Sequence, residues 1–570
     1  MPIIDLGARG LYRATRLGKI GHQPWGKGTK PMEDGQVNIS KLVVRHACTH
    51  PEKLALVIPE FDTTNALIRE ETCTYAGLAR RIAQARAGLT AQGFKRNDRL
   101  ILMAPLSIDT YALLLALFAS GMSAVFIDGG MGKKKVLQAI ADAKAQGIVS
   151  VRSLLRYRWF LKVLWTLKLF GTDCQGLGVR SWRRLFHHTP STAPVVTTSA
   201  TDHALITFTS GSTGRPKGAD RTQGLLVQQH LALERHFPIG ECCVDLPCFP
   251  VVALHNLCLG ITTVLPAVNL AAPATVRPQY VFEQIKRWGV KRLSGAPAYI
   301  DALIASIESG EHRGDGIESI GIGGAPVSVD LCRRIRQVLP TCDIQIIYGS
   351  TEAEPIASVS VDEIIETHER SRVWGHLVGE PAHCADIALV NLPSPPPTLT
   401  ADDVDPYRVP SGHVGELIVR GPHVNRGYLD NPTANSRHKL VCLNGQVWHR
   451  TGDLARLDEQ GRIWLCGRVK DRIGCGPDAL NPLPIEAQVN GLDGVKRAAL
   501  VAVSDDGPVG LFVQTEPDWT IEGIRSSIED ALMVHTQRSI PLIALDAMPV
   551  DYRHQSKIDR VKLRRHLEEQ

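Results

Sequence analysis

The sequence predicts an α/β protein: a large N-terminal domain of α/β layers carrying a β-rich subdomain, then a small α+β C-terminal lid. Three observations predict this. The chain has 570 residues, too many for one hydrophobic core and enough for about three or four domain-sized units. Short apolar runs alternate with helical periodicity as far as Ile322, the pattern of strands crossing over through helices into a parallel sheet. From about residue 384 the texture changes to short strands and turns.

Taken in order, Leu78, Ile82, Ala85 and Leu89 fall at helical spacing and Gly93 ends the segment. Arg99 to Ala104 is a short apolar run, expected to be a buried strand. Residues 112–127 are apolar but shorter than a membrane span, so they predict a buried helix running into a buried strand. The alternation continues through residues 205–218, Lys291–Ser294 and Ile317–Ile322. Ala385–Val390, Glu416–Val419 and residues 463–465 are expected strands of the β-rich part, with a surface loop at Pro393-Ser-Pro-Pro-Pro. The expected boundaries are an N-terminal extension over 1–35, a main domain over 36–467 with its β-rich part at 384–467, and a lid over 468–570. There is no internal repeat.

Composition narrows the class. Lys and Arg number 64 against 58 Asp and Glu, a net charge of +6, which is mild for this length and argues against a nucleic-acid partner. Hydrophobic residues at 44% and charged residues at 21% are ordinary for a globular protein. The 13 cysteines are scattered without a Cys-x-x-Cys, which predicts reduced thiols in a reducing compartment, the cytoplasm, rather than disulfides or a zinc site. Asp5, Arg9 and Arg13 interrupt any signal-peptide core. Residues 152–168 interleave Arg152, Arg156, Arg158, Lys162 and Lys168 with Trp159, Phe160 and Trp165. They are expected to form a partly buried surface helix, with an amphipathic helix at a membrane or lipid chain as the other reading.

The most informative stretch is Leu205-Ile-Thr-Phe-Thr-Ser-Gly-Ser-Thr-Gly-Arg-Pro-Lys-Gly218. An apolar run meets a loop of small hydroxyl and glycine residues, which can fold backbone N–H groups around a phosphate. It is not the G-x-x-x-x-G-K-[ST] loop, because Pro216 precedes Lys217 and Gly218 follows it. Instead Thr209, Ser210, Gly211, Ser212, Thr213, Gly214 and Lys217 resemble the phosphate loop of the adenylate-forming superfamily of acyl-CoA synthetases, luciferases and adenylation domains.

Further stretches follow in that family's order. Gly323, Gly324, Ala325 and Pro326 resemble its segment against the adenine face. Tyr348-Gly349-Ser350-Thr351-Glu352 resembles Y-G-x-T-E, which implies that Tyr348 stacks on adenine, Thr351 contacts phosphate and Glu352 helps hold Mg²⁺, with Thr213 as a second metal contact. An aromatic face and a hard carboxylate suit those tasks. Thr451-Gly452-Asp453 resembles the T-G-D pair, whose Asp accepts from the ribose hydroxyls. Arg468 and Lys470 resemble the hinge before a mobile lid, the Arg reaching the ribose. Lys557 before Ile558 resembles the terminal lysine that bridges substrate carboxylate and α-phosphate, so Lys557, Glu352 and Thr351 are the expected catalytic residues. The resemblance implies ATP and Mg²⁺ and a carboxylate substrate activated as acyl-AMP.

Two stretches depart from the thioester-forming pattern. Where acyl-CoA synthetases commonly have I-K-I-R-G-F-R-I-E-P-G-E-I-E, this chain has Ile473-Gly-Cys-Gly-Pro-Asp-Ala-Leu-Asn-Pro-Leu-Pro-Ile-Glu486. The usual Lys is Gly474, and the Gly that admits pantetheine is Pro477, which lacks an N–H. The terminal motif Pro549-Val-Asp-Tyr-Arg-His-Gln-Ser-Lys557 is two residues longer than usual and has Ser556 in place of Gly. With Val244-Asp-Leu-Pro-Cys-Phe-Pro250, Ala253, Leu254, Leu259 and Gly260, these features resemble the olefin-biosynthesis β-lactone synthetases. That resemblance implies a long-chain 2-alkyl-3-hydroxy fatty acid closed by its own hydroxyl. It also implies neighbouring olefin-pathway enzymes: a thiolase, a reductase and a decarboxylase. His255 and His554 are candidate bases for the second step. The alternative is a fatty acyl-CoA synthetase or acyl-AMP ligase serving CoA or a carrier protein.

Overall fold

In the computed structural model the residues described are 37–569, apart from 62–66, 210–213, 238–242, 269–274, 394–395, 397–398, 400–403, 475–478, 505–506 and 551–557. Two large sheets carry the first four-fifths of the chain. One holds seven strands in the order Val179–Ser181, Lys168–Gly171, Gly147–Ser150, Arg99–Met103, Ser123–Ile127, His203–Thr209, Lys217–Thr222. All neighbours are parallel except the last hairpin. The other sheet centres on parallel strands Val244–Pro247, Arg292–Gly295, Ser319–Gly323 and Asp343–Ser350. It continues through antiparallel strands Ala353–Ser360, His376–Pro381, Ile463–Arg468, Val447–Leu457, Gly415–Arg420 and Asp386–Val390. The parallel strands of this second sheet and the β-rich part are thus continuous, while the seven-stranded sheet stands apart.

The elements form for local reasons. The helix Tyr75–Ala91 starts where the Thr74 side chain accepts from the Gly77 N–H at 3.1 Å, and it buries Leu78, Ile82, Ala85 and Leu89 as their spacing requires. Gly93 then takes φ +71, a conformation costly for other residues. The apolar run becomes helix Ile108–Ala119, capped by Ser107 and buried at every residue but Asp109, and then the strand Ser123–Ile127. A helix apolar on all sides belongs in a core. No helix of the described residues is long and apolar enough to cross a membrane.

One expectation is corrected. Residues 152–168 do not form one continuous helix: only Arg152–Leu155 is α-helical, Lys162–Leu164 is a 3-10 turn, and the strand starting at Lys168 follows. The apolar anchors Leu155 and Leu164 are nine positions apart, and the chain between them doubles back so that Trp165 Nε1 donates to the Arg158 carbonyl at 2.9 Å. Trp159 and Phe160 point to solvent and so contribute no buried helical face to hold a longer helix.

After Arg468 the chain builds a separate three-stranded sheet, Val495–Ala502, Val509–Thr515 and Leu542–Ala544. Helices Pro482–Asn490 and Ile521–Met533 pack on it around Ile485, Leu500, Leu511 and Ile528, and Arg560–Glu568 packs through Leu563 and Leu567 against Ala499, Val501 and Phe512. The eleven described cysteines are free thiols, eight of them buried.

Candidate active site

The phosphate-loop candidate joins strands His203–Thr209 and Lys217–Thr222, with Thr209 opposite Lys217. Ser210, Gly211, Ser212 and Thr213 lie outside the described residues. Gly214 takes φ +88, which the absence of a Cβ permits. Arg215 anchors the far side of the loop through a two-point ion pair with Asp142, at 2.8 and 3.0 Å. Lys217 points inward and is buried. Burial lowers its pKa, and the Glu352 charge opposes that shift.

The central sheet brings two other motifs alongside. Gly323 ends its strand opposite Ile347, so Gly324, Ala325 and Pro326 leave the sheet beside Tyr348. Gly324 has φ +84. Tyr348 to Glu352 form the turn between Asp343–Ser350 and Ala353–Ser360. A side chain at Gly349 would meet the Ala353 carbonyl at 3.0 Å, so the turn is closed to larger residues. The Tyr348 hydroxyl donates to Asp453 at 2.6 Å, and Asp453 also pairs with Arg468 Nε at 3.0 Å. Asp453 and Arg468 face each other across strands Val447–Leu457 and Ile463–Arg468. Arg468 is anchored further by the Thr451 carbonyl at 3.2 Å. Burial and the Asp453 charge raise the Tyr348 pKa, so it stays a neutral hydrogen-bonding ring. Arg221, itself buried, ties the two regions together by donating to Thr207 Oγ1 and the Thr351 carbonyl, each at 3.1 Å.

Around Glu352 the structure assembles groups that the motifs do not reveal. Tyr428 Oη donates to Glu352 Oε1 at 2.8 Å. Tyr428 is placed by a bridge to Ala219 and by the Leu429 N–H donating to the Gly218 carbonyl at 2.8 Å. Burial alone would raise the Glu352 carboxyl, but His449, the Tyr428 hydroxyl and Lys439 outweigh it and hold the pKa at about 2. Lys439 is buried, donates to the Asn425 carbonyl, and has its ammonium pushed down to about 7 by desolvation. Lys217 Nζ donates to His438 Nε2 at 2.6 Å. Burial, then Lys217, holds His438 down at about 4, so the ring is neutral and accepts. Two buried lysines about one ionised carboxylate favour a ligand carrying several negative charges. The one local signal for these residues was the stretch Gly427-Tyr428-Leu429-Asp430-Asn431-Pro432, a tight turn into the helix Pro432–His438 capped by Asn431.

Farther out, Lys470 sits in the 3-10 turn Val469–Asp471 between the large sheet and the C-terminal unit, where its carbonyl accepts from Arg564 at 3.4 Å. Arg564 and Arg560 both reach Asp471. Arg560 makes a two-point pair with buried Glu486, at 2.7 Å to each oxygen. Gly474 has φ +75, and the Ile473–Leu480 bridge closes a loop whose residues 475–478, including Pro477, lie outside the described set. Lys557 and His554 also lie outside it. His255, on the helix Pro250–Leu259, is buried, with Nδ1 at 2.9 Å from His230 Nδ1 and Nε2 lacking a hydrogen bond. Burial and then His230 push its pKa well below the ordinary histidine value, so the ring is neutral.

Lys217, Tyr348, Thr351, Glu352, Asp453 and Arg468 therefore converge from segments far apart in the chain. Comparisons with known proteins give the family. Residues 43–429 match the family described as AMP-binding enzyme. The chain is 30% identical over 553 residues to an olefin beta-lactone synthetase of Xanthomonas campestris pv. campestris, covering 92% of this chain and 96% of that protein. It is 29% identical to a feruloyl-CoA synthase of an Amycolatopsis species, over 78% of this chain and 84% of that one. The amide bond synthetase McbA from Marinactinospora thermotolerans shares the fold, with a TM-score of 0.74 at 20% identity, covering 93% of this chain and 99% of that one. The chain belongs to the AMP-binding enzyme family and is an AMP-forming ligase of the adenylate-forming type.

Proposed function

We propose that the protein uses ATP to activate a long-chain 2-alkyl-3-hydroxy fatty acid and then closes it to a β-lactone. In the first step the substrate carboxylate attacks the α-phosphorus of ATP, the bond to the β-phosphate oxygen breaks, and acyl-AMP and pyrophosphate form. In the second, the substrate's own hydroxyl attacks the acyl carbon. AMP leaves, and the hydroxyl proton passes to a base. The observation that carries the proposal is the 30% identity to an olefin beta-lactone synthetase across nearly the whole chain. The altered stretch between Gly474 and Pro484 supports it, because an intramolecular nucleophile needs no pantetheine-admitting surface.

The chain's residues divide the first step among them. Tyr348 offers its ring to adenine, while Asp453, pinned by Arg468, accepts from the ribose hydroxyls. Lys217 and the loop Thr209–Gly214 face the phosphates, with Thr351 beside them. The ionised carboxylate of Glu352 fits one ligand position of a hard divalent cation, and Thr213 is the second residue assigned to it. Such a cation, when bound, neutralises phosphate oxygens. Lys557 reaches the carboxylate–phosphate junction when the C-terminal unit turns about Lys470. Because charge builds up there, positioning and neutralisation are the main catalytic terms. For the second step, His255 is the assigned base: its ring is neutral, and in the tautomer whose Nδ1–H donates to His230 its Nε2 lone pair makes no hydrogen bond.

The decisive experiment incubates the protein with ATP, Mg²⁺ and a long-chain 2-alkyl-3-hydroxy acid without CoA. The expected products are pyrophosphate, AMP and the β-lactone in equal amounts. Release of AMP only when CoA is added, with thioester as product, would replace this reading by the acyl-CoA synthetase one, which the feruloyl-CoA synthase similarity favours.

A further inference from the structure

The crossover between strands Gly147–Ser150 and Lys168–Gly171 exposes an unusual set of side chains. Phe160 is 83% exposed, Trp159 and Trp165 are each 61% exposed, and Leu177, from the following turn, is 80% exposed. Three of them, Trp159, Trp165 and Leu177, are gathered around one residue. Arg158 lays its guanidinium over the Trp159 ring at 4.8 Å and donates through Nε to the Leu177 carbonyl at 2.9 Å. Its own carbonyl accepts from the Trp165 indole. The aromatic tips are therefore held outward by a folded turn that is anchored beneath by buried Leu155 and Leu164.

The charge around this cap has one sign. No acid occurs between Asp142 and Asp173, while Lys144, Arg152, Arg156, Arg158, Lys162 and Lys168 do. Asp142 is taken up by Arg215, and Asp173 accepts from the Arg152 backbone N–H. Lys133, from the neighbouring helix Lys133–Asp142, adds its ammonium at 5.4 Å from the Tyr157 ring. Among the described residues, Arg156, Arg158, Lys162 and Lys133 pair with no carboxylate. Soluble surfaces rarely cluster exposed Trp and Phe without a task. Indole rings ringed by cations suit the boundary between hydrocarbon and anionic headgroups, where the ring buries and the cations meet phosphate.

We propose that the cap formed by Trp159, Phe160, Trp165 and Leu177, with its collar of Arg and Lys, docks the protein on an anionic phospholipid surface. No helix spans the bilayer in this arrangement. The aromatic tips enter the interface and the attachment is reversible, because buried area is small and charge supplies much of the attraction.

The test is co-sedimentation of the full-length protein with phosphatidylcholine/phosphatidylglycerol vesicles and with phosphatidylcholine alone. The wild type is expected to bind the mixed vesicles, to release them at high salt, and to bind neutral vesicles weakly. The triple variant W159S/F160S/W165S is expected to bind the mixed vesicles at least about tenfold more weakly. Its ATP-dependent pyrophosphate release with a water-soluble carboxylate should be unchanged, which also shows that it folds. Failure of the wild type to bind mixed vesicles, or equal binding by the triple variant, overturns the proposal. So does concentration-dependent self-association of the wild type that the triple variant loses without any vesicle binding, since the cap would then be a contact between copies of the chain.

Discussion

The hydroxyl of Tyr428 donates a 2.8 Å hydrogen bond to Oε1 of Glu352, joining residues 76 positions apart. Glu352 is held ionised against its burial partly by this bond. The bond also fixes the orientation of the carboxylate. Tyr428→Phe removes the donor and little volume. A hydrogen bond to a charged group contributes about 1.5–3 kcal/mol to stability, so the melting temperature should fall by a few degrees, and the KM for ATP with Mg²⁺ should rise because the carboxylate is no longer held in place. Thermal unfolding and steady-state pyrophosphate release across ATP concentrations measure this, and an unchanged KM for ATP would mean that the Tyr428 bond does not position Glu352 for the nucleotide.

Lys439 leads to a proton-linkage prediction. Burial holds its ammonium at about 7, against an ordinary value of 10.5. Between those values the unfolded chain binds more protons than the folded one, so this group makes stability rise with pH across that window. Its destabilising effect is fully present below it. Bound phosphates favour the charged lysine and pull its pKa back up. At about pH 8, ATP binding should therefore take up a proton. Titration calorimetry in Hepes and in Tris, whose ionisation enthalpies differ, reads this directly. The wild type should show different apparent enthalpies in the two buffers, and Lys439→Met should abolish the difference.

The pair between Arg560 and Glu486 is the main charged tie inside the C-terminal unit. Glu486 is buried, its Oε1 also accepts the Leu500 N–H at 2.8 Å, and Arg560 donates to the Leu500 carbonyl at 2.7 Å. Arg560→Met strands a buried carboxylate and should cost about 3 kcal/mol. Adding Glu486→Leu should return much of that loss, because removing both charges also removes the desolvation penalty. Urea unfolding followed by a probe in the C-terminal unit distinguishes the two variants. Equal stability of Arg560→Met and wild type would mean that solvent reaches the pair.

The parts of the site readable from the sequence are those made by single strings. Tyr348 to Glu352 is one turn, and Asp453 and Arg468 lie on a strand pair joined by a short loop, so their neighbours in the chain are their neighbours in space. Lys439, His438, His449 and Tyr428 were not readable, because each is an ordinary residue of its own element. They become a site only when the segment Val424–Tyr428 pairs with the phosphate-loop hairpin and the Ala353 strand. Residues 152–168 misled for the opposite reason. Their basic and aromatic residues have the composition of an amphipathic helix, but composition carries no information about where Leu155 and Leu164 must be buried. The continuous alternation of strands and helices up to Ile322 was legible because parallel strands buried on both faces have few other ways to appear in a sequence.

As the base proposed for the second step, His255 offers a way to separate the two half-reactions. It lies one helix beyond the strand Val244–Pro247, whose neighbours Arg292–Gly295 and Ser319–Gly323 lead to the adenine segment. His230 engages its Nδ1 and its Nε2 lacks a hydrogen bond. On the proposed reading, the tautomer whose Nδ1–H donates to His230 leaves the Nε2 lone pair to take the proton of the attacking hydroxyl, a contribution of about 10²–10⁴-fold in rate. It has no part in the attack of a carboxylate on ATP, since that nucleophile carries no proton to remove. His255→Phe should therefore leave pyrophosphate release in a single turnover near the wild-type rate and slow lactone appearance at least about a hundredfold, with acyl-AMP accumulating on the protein. Rapid-quench measurement of acyl-AMP and lactone in the same reaction decides the matter. Equal slowing of both steps would instead make the His230–His255 pair a packing element of the core, and lactone formation at the wild-type rate would pass the role of base to His554.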